Sequence, residues 1–136
     1  NSPETPFVLH LSNVMHLATD VTGVIKNNLN QIDILELVEK LHPSAAVCGT
    51  PTEKANSVIA KLEKMDRQRY AGPVGWIDST FEGEFGIALR CGQISDDLKS
   101  IRLFAGCGIV AMSDPAKELL ESQAKFMPMR TALQTL

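Results

Sequence analysis

The sequence has no large excess of charge of either sign and no long hydrophobic run. Its 136 residues carry a formal net charge of −3, with 44 % hydrophobic and 21 % charged residues. This balance excludes a disordered chain, a collagen and a coiled-coil rod. The small negative net charge does not indicate binding to nucleic acid or to an anionic membrane. No apolar stretch approaches the roughly 20 residues that a membrane-spanning helix needs.

Targeting and metal-binding signals are also missing. The N-terminal residues have neither a basic region nor an apolar region, so we expect no signal peptide. Because the chain does not begin with Met, we expect it to be a piece of a longer protein. Cys48, Cys91 and Cys107 follow no CxxC or Cys/His metal spacing. Their apolar neighbours predict reduced, buried thiols in a cytoplasmic protein.

The first half of the chain predicts two extended segments followed by two helices. Residues 7–11 and 16–25 are predicted to be extended. Asp33 is predicted to cap a helix over residues 34–41. Thr50-Pro51-Thr52-Glu53 is typical of a capping box with proline at the first helical position, and its helix should end near residue 65.

The second half predicts three strands and one helix. The strands are expected at about 73–78, 84–94 and 100–111, and the short turns between them favour antiparallel pairing. Asp114 and Pro115 are expected to begin the last helix. The element order predicts a single α+β domain over residues 1–136, with helices packed on an antiparallel sheet and enough length for a core.

Two predicted strands carry small residues at alternate positions. On the second strand these residues flank Arg90: they are Gly86, Ala88 and Gly92. An arginine with room around it can bind a planar carboxylate through two hydrogen bonds, although it can equally be an ordinary solvent-facing arginine. Gly106 and Gly108 alternate on the next strand, where they would admit a ligand or allow a helix to pack closely.

The last predicted helix carries a polar stripe of Glu118, Glu121 and Lys125. Two carboxylates three residues apart repel each other unless a cation lies between them. Mg²⁺ is a suitable cation, because it is commonly bound through only one or two carboxylates. The alternative is the solvated face of an amphipathic helix. Tyr70 precedes a glycine-punctuated strand, so its hydroxyl is expected either to point at a ligand or to cap the edge of the core.

These segments, in order, resemble the motifs of chorismate-binding enzymes of the isochorismate synthase type. The matching segments are 16–19 (HLAT), 41–51 (LHPSAAVCGTP), 66–76 (DRQRYAGPVGW), 83–85 (GEF), 88–90 (ALR), 104–110 (FAGCGIV), 113–115 (SDP) and the polar stripe of the last helix. The resemblance implies the C-terminal portion of the chorismate-binding (anthranilate synthase component I-like) fold. It also implies Mg²⁺-dependent isomerisation of chorismate to isochorismate by addition of water.

The resemblance also implies roles for individual residues. Glu121 would be a Mg²⁺ ligand, and Glu118 a second ligand or the holder of a metal-bound water. The remaining residues would contact chorismate: His16, Ala46, Tyr70, Arg90, Gly106, Gly108 and Lys125. No segment matches the family's general-base lysine, its general-acid glutamate or its further Mg²⁺ glutamate, so no catalytic residue is assigned. We therefore expect a C-terminal fragment that is inactive alone and lacks its N-terminal part.

Other functions stay open at this point. Salicylate, anthranilate and aminodeoxychorismate synthases share the late motifs, and a non-catalytic binding or assembly module would also explain the missing residues. His42-Pro43, the segment 83–85 and Ala46 favour isochorismate synthase. A half-domain should expose apolar surface that the absent half covers, which predicts self-association.

Overall fold

The computed structural model describes residues 6–10, 15–25 and 33–134. The chain divides into two units, Asn1–Ile32 and Asp33–Leu136. In the first unit, strand β1 (Phe7–His10) pairs antiparallel with β2 (Met15–Ala18). The strand predicted at 7–11 is confirmed over its described residues. The extended segment predicted at 16–25 forms a strand only as far as Ala18.

The second unit begins with three helices, α1 (Ile34–Leu41), α2 (Ala45–Cys48) and α3 (Thr52–Glu63), and ends with α4 (Pro115–Gln134). Two predicted caps are confirmed. The Asp33 carboxylate accepts from the Glu36 N–H at 2.9 Å, and the Asp114 carboxylate accepts from the Lys117 N–H at 3.0 Å. These bonds satisfy amide groups that have no partner inside the helix, which explains why both helices begin where predicted.

The predicted capping box before α3 is wrong. Pro51 is the residue that precedes the helix, its ψ of 137° is extended, and no side chain caps the first turn. The helix begins instead with the Pro51 carbonyl, which accepts from the Ala55 N–H at 2.9 Å. Because Pro51 is outside the helix, Thr50 lies too early to cap it. The helix ends two residues early because Lys64 adopts a left-handed conformation, with φ 50°.

Two β-hairpins follow, as the turn signals predict. Strand β3 (Pro73–Ile77) pairs antiparallel with β4 (Gly83–Ile87), and β5 (Cys91–Ile94) pairs antiparallel with β6 (Ile101–Phe104). The Asp78 carboxylate closes the first turn by accepting from the backbone N–H groups of Thr80 at 2.8 Å and Glu82 at 3.0 Å. The Thr80 hydroxyl donates to the same carboxylate at 2.8 Å. This bond, together with the two backbone bonds, lowers the pKa of Asp78, so the turn is held by an ionised carboxylate.

The predicted strand 84–94 is divided by a break at Ala88–Arg90. Arg90 has a left-handed φ of 48°, which a continuous strand cannot accommodate. The break separates the β3–β4 sheet from the β5–β6 sheet. With β1–β2, the described residues form three two-stranded sheets where the sequence predicted one sheet. The third predicted strand ends at Phe104 and not near residue 111, since the alternating Gly106 and Gly108 weaken strand structure beyond it.

The core of the described residues is smaller than the chain length predicts. The buried hydrophobic residues are Cys48, Ala71 and Phe104, whereas Trp76 on β3 is 57 % exposed. A chain of this length would ordinarily bury about two thirds of its unfolded surface. The fold therefore leaves much apolar surface open.

Helix α4 turns its apolar side outward. Leu119, Leu120 and Met127 are all more than half exposed, whereas Glu118 and Lys125 are half-buried. Within the polar stripe, Glu118 and Lys125 are thus more shielded from solvent than these apolar residues, whereas the Glu121 side chain is 53 % exposed. None of the helices described is long and apolar enough to cross a bilayer.

Candidate functional site

The Tyr70 ring contacts both an aromatic ring and a cation. Its ring stacks on Phe104, with centroids 5.4 Å apart and planes inclined by 16°. The guanidinium carbon of Arg67 also lies over the Tyr70 ring, 5.7 Å from its centroid. Burial raises the pKa of the Tyr70 hydroxyl, and the charge of Arg67 acts in the opposite direction. The phenol is therefore neutral at physiological pH and can donate a hydrogen bond.

Arg67 is itself fixed by α3 and α2. Its Nε donates to Glu63 Oε2 at 2.7 Å, and its Nη2 donates to the second oxygen of the same carboxylate. Its Nη1 donates to the Val47 carbonyl at 3.0 Å. This two-point pairing with Glu63 matches the planar fork of a guanidinium. The cation above Tyr70 is thus tied to the end of α3 and to α2.

Gly106 allows the Tyr70 hydroxyl to approach the backbone after β6. A Cβ placed on Gly106 would lie only 2.8 Å from Tyr70 Oη, whereas a Cβ on Gly108 would meet nothing within 4 Å. The sequence predicted that these glycines admit either a ligand or a packed helix. For Gly106 the structure gives a third reason, which is the close approach of a tyrosine hydroxyl.

Lys125 connects Gly106 to the carboxylates of α4. Its Nζ donates to the Gly106 carbonyl at 3.1 Å and to Glu121 Oε1 at 2.6 Å. The hydrogen bond and charge of Lys125 lower the pKa of Glu121. Tyr70 Oη thus lies against Gly106, the Gly106 carbonyl accepts from Lys125, and Lys125 pairs with Glu121. We call this series of contacts the Tyr70–Glu121 path.

Glu118 lies one turn before Glu121 on the same side of α4. It is half-buried, and its backbone carbonyl lies 3.5 Å from Cys107 Sγ. The two carboxylates are the predicted metal ligands. Among the described residues, no group of three or more His, Cys, Asp and Glu side chains could hold a metal ion. This pair alone therefore offers carboxylate oxygens but not a complete set of ligands.

The other predicted site residues are on other elements of the chain or are only partly described. Arg90 is half-buried at the break between β4 and β5, so its predicted place on one continuous strand face is wrong. Ala46 is exposed on α2. The backbone of His16 lies opposite Leu9 in the hairpin of the first unit, and its side chain lies outside the described residues.

Comparison with known proteins identifies the family. Residues 1–134 match the family model described as chorismate binding enzyme. The chain belongs to the chorismate-binding enzyme family. It is 45 % identical over 131 residues to isochorismate synthase MenF and 39 % identical over 131 residues to isochorismate synthase DhbC, both of Bacillus subtilis (strain 168). It is 37 % identical over 127 residues to isochorismate synthase EntC of Escherichia coli (strain K12).

These alignments cover nearly all of this chain but a minor share of each relative. They span 96 % of the chain and 27 % of MenF, 96 % of the chain and 32 % of DhbC, and 93 % of the chain and 31 % of EntC. The chain therefore spans about a third or less of the length of these curated relatives. The family that the motifs predicted, that of the chorismate-binding enzymes, is confirmed.

Sequence reasoning missed the role of Arg67. It placed Arg67 and Tyr70 in the same family motif, but of these two residues it assigned substrate binding only to Tyr70. The available signal was the spacing of Glu63 and Arg67, since residues four apart on a helical turn can pair. The contact of Arg67 with Val47 joins residues 20 positions apart, which spacing does not reveal.

Proposed function

We propose that this chain carries part of the chorismate-binding site of an isochorismate synthase, which converts chorismate to isochorismate. The Tyr70–Glu121 path is the observation that carries the proposal. It joins segments that are distant in the sequence, and the family resemblance had selected each of its residues. The names of the relatives support the reaction, and the chemistry of the path supports the substrate class.

Chorismate is a dianion, and the proposed site supplies donors that suit carboxylates. The Lys125 ammonium and the neutral Tyr70 hydroxyl would bind and orient one carboxylate. Arg90 would add a second cation. Glu121 is already ionised beside Lys125, so substrate binding would redistribute the hydrogen bonds of Lys125 and would not require Glu121 to lose a proton. In this proposal, the chain binds and orients chorismate, and residues outside it transfer the protons.

Glu118 and Glu121 would hold Mg²⁺. Carboxylate oxygens suit this ion, which is commonly bound through one or two carboxylates together with water and substrate oxygens. When bound, Mg²⁺ would act as a Lewis acid that neutralises charge on the substrate. Lys125 currently pairs with Glu121, so the ion and the ammonium would share this carboxylate.

We further propose that the chain works as the C-terminal part of a longer polypeptide with an anthranilate synthase component I-like fold. The outward apolar side of α4 and the exposed Trp76 support this proposal, since large exposed apolar patches mark surfaces that another element covers. We also propose a cytoplasmic setting, which the three free cysteines support.

A segment exchange tests the proposed reaction. This chain would replace the matching 131-residue segment of Bacillus subtilis MenF, and the products formed from chorismate and Mg²⁺ would be separated chromatographically. We expect isochorismate. Formation of salicylate, or of an aminated product with ammonia, would instead assign the chain to another chorismate-utilising enzyme. A folded chimera without product would contradict the proposal.

Matched variants of that chimera test the path. Lys125→Met should lower kcat/KM at least tenfold, because a hydrogen bond to a charged group contributes about 1.5–3 kcal/mol. Lys117→Met removes an exposed lysine from the same helix and should retain the activity. Equal losses of kcat/KM in the two variants would contradict a role of Lys125 in chorismate binding.

Calorimetry distinguishes half of a catalytic site from a packing module. We expect the 136-residue chain to bind chorismate in the presence of Mg²⁺ without converting it. Glu121→Gln should weaken this binding, whereas Glu53→Gln on α3 should leave it unchanged. Absence of binding would favour a non-catalytic module. Turnover by the isolated chain would contradict the proposal that residues outside this chain transfer the protons.

A further inference from the structure

We propose that Arg67 is a positioning residue for Tyr70. Its guanidinium lies over one side of the Tyr70 ring, 5.7 Å from the centroid, while Phe104 is stacked on the ring. A ring confined in this way cannot swing without breaking one of the two contacts. The hydroxyl is therefore kept beside Gly106, on the path proposed to bind chorismate.

The guanidinium can serve this purpose because its own plane is fixed. The Glu63 carboxylate occupies two of its nitrogens, and the Val47 carbonyl occupies the third. Hydrogen bonds in the guanidinium plane leave its flat face free to lie over an aromatic ring. Lysine has no such plane, so it would bring the charge without fixing the ring.

A purely stabilising ion pair is a weaker explanation of this arrangement. The side chains of Arg67 and Glu63 are 26 % and 31 % exposed, and ion pairs that solvent can reach contribute little to stability. The bond to Val47 and the contact with Tyr70 also lie outside the pair. Arg67 thus joins α2 and α3 to the one tyrosine of the chain.

The charges around Tyr70 make the arrangement measurable. The charge of Arg67 lowers the pKa of Tyr70, whereas Glu63, Cys91 and Cys107 raise it. Removing the Arg67 cation should therefore move the Tyr70 titration to higher pH. Removing the Glu63 charge should move it to lower pH. Opposite shifts from the two partners of one ion pair are not expected from a general loss of packing.

The experiment is a titration of the 136-residue chain followed by the absorbance of tyrosinate, which reports Tyr70 alone. Arg67→Met should raise the midpoint relative to the wild type, and Arg67→Lys should give a smaller rise because it keeps the charge without the planar fork. Arg69→Met, which removes an exposed arginine two residues away, should leave the midpoint unchanged. Glu63→Gln should lower it.

Several results would overturn the proposal. They are equal midpoints for the wild type and Arg67→Met, equal shifts for Arg67→Met and Arg69→Met, or a wild-type midpoint in buffer that equals its midpoint in urea. In the last case Tyr70 would not occupy the environment described.

The functional part of this inference rests on the proposed function. In the chimera with MenF, Arg67→Met should raise KM for chorismate more than it lowers kcat, since it misplaces a binding group. Arg67→Lys should restore part of the loss. An altered titration together with an unchanged KM would contradict the role in chorismate binding while leaving the Arg67–Tyr70 contact established. An inactive parent chimera would instead contradict the proposed function, and the titration would still decide the contact.

Discussion

Replacing Gly106 by alanine tests the closest approach in the proposed site. The added Cβ would lie 2.8 Å from Tyr70 Oη, and ordinary contact begins at 3.4 Å. The hydroxyl must therefore retreat by about 0.6 Å. Because the Tyr70 ring contacts both Phe104 and Arg67, this retreat disturbs both contacts.

The magnitude follows from those two contacts. An aromatic pair contributes roughly 0.5–1.5 kcal/mol, and an exposed cation–π contact roughly 0.5–1 kcal/mol. We expect Gly106→Ala to lower the free energy of unfolding by about 1–2 kcal/mol relative to Gly108→Ala. Gly108→Ala is the matched control, because nothing lies within 4 Å of its added Cβ. Both variants share the lower entropy of an unfolded chain that contains alanine in place of glycine.

Urea unfolding followed by the fluorescence of Trp76, the one tryptophan of the chain, measures this difference. A double-mutant cycle identifies its cause. Tyr70→Phe removes the hydroxyl that the new Cβ would strike, so Gly106→Ala should cost much less in that background. The same cost in both backgrounds would refute the reasoning. In the chimera, Gly106→Ala should also lower kcat/KM for chorismate, since displacements approaching 1 Å can reduce rates by up to about 100-fold.

Two further predictions concern the charge pair of α4 and the exposed apolar surface. Lys125 lowers the pKa of Glu121, so the pair should stabilise the fold above the unfolded-state pKa of about 4.3. This contribution should be lost as the pH falls through the lower folded-state pKa. Lys125→Met should return the carboxyl titration of Glu121, followed by NMR, to higher pH, and an unchanged titration would contradict the pairing. The isolated chain should self-associate, with an apparent mass in light scattering that rises with concentration. Leu120→Lys should reduce this association, and a monomer at all concentrations would contradict it.

Local signals predicted much of the backbone. Asp33 and Asp114 cap their helices as expected, because an N-terminal cap depends on hydrogen bonds within about three residues. Both hairpins form at the predicted turns for the same reason. The prediction of a capping box before α3 is wrong because Pro51 has an extended conformation. The prediction of one strand over residues 84–94 is wrong because Arg90 has a left-handed backbone conformation.

The sequence by itself determined the family, the order of the elements and the residue types of the proposed site. Motifs and caps are short-range features, so they can be read along the chain. Only the tertiary structure decided that Tyr70 reaches Gly106, that Lys125 joins Gly106 to Glu121, and that the apolar side of α4 faces outward. These facts depend on contacts between segments far apart in the sequence. The direction in which one segment faces another is set by packing, which residue spacing does not specify.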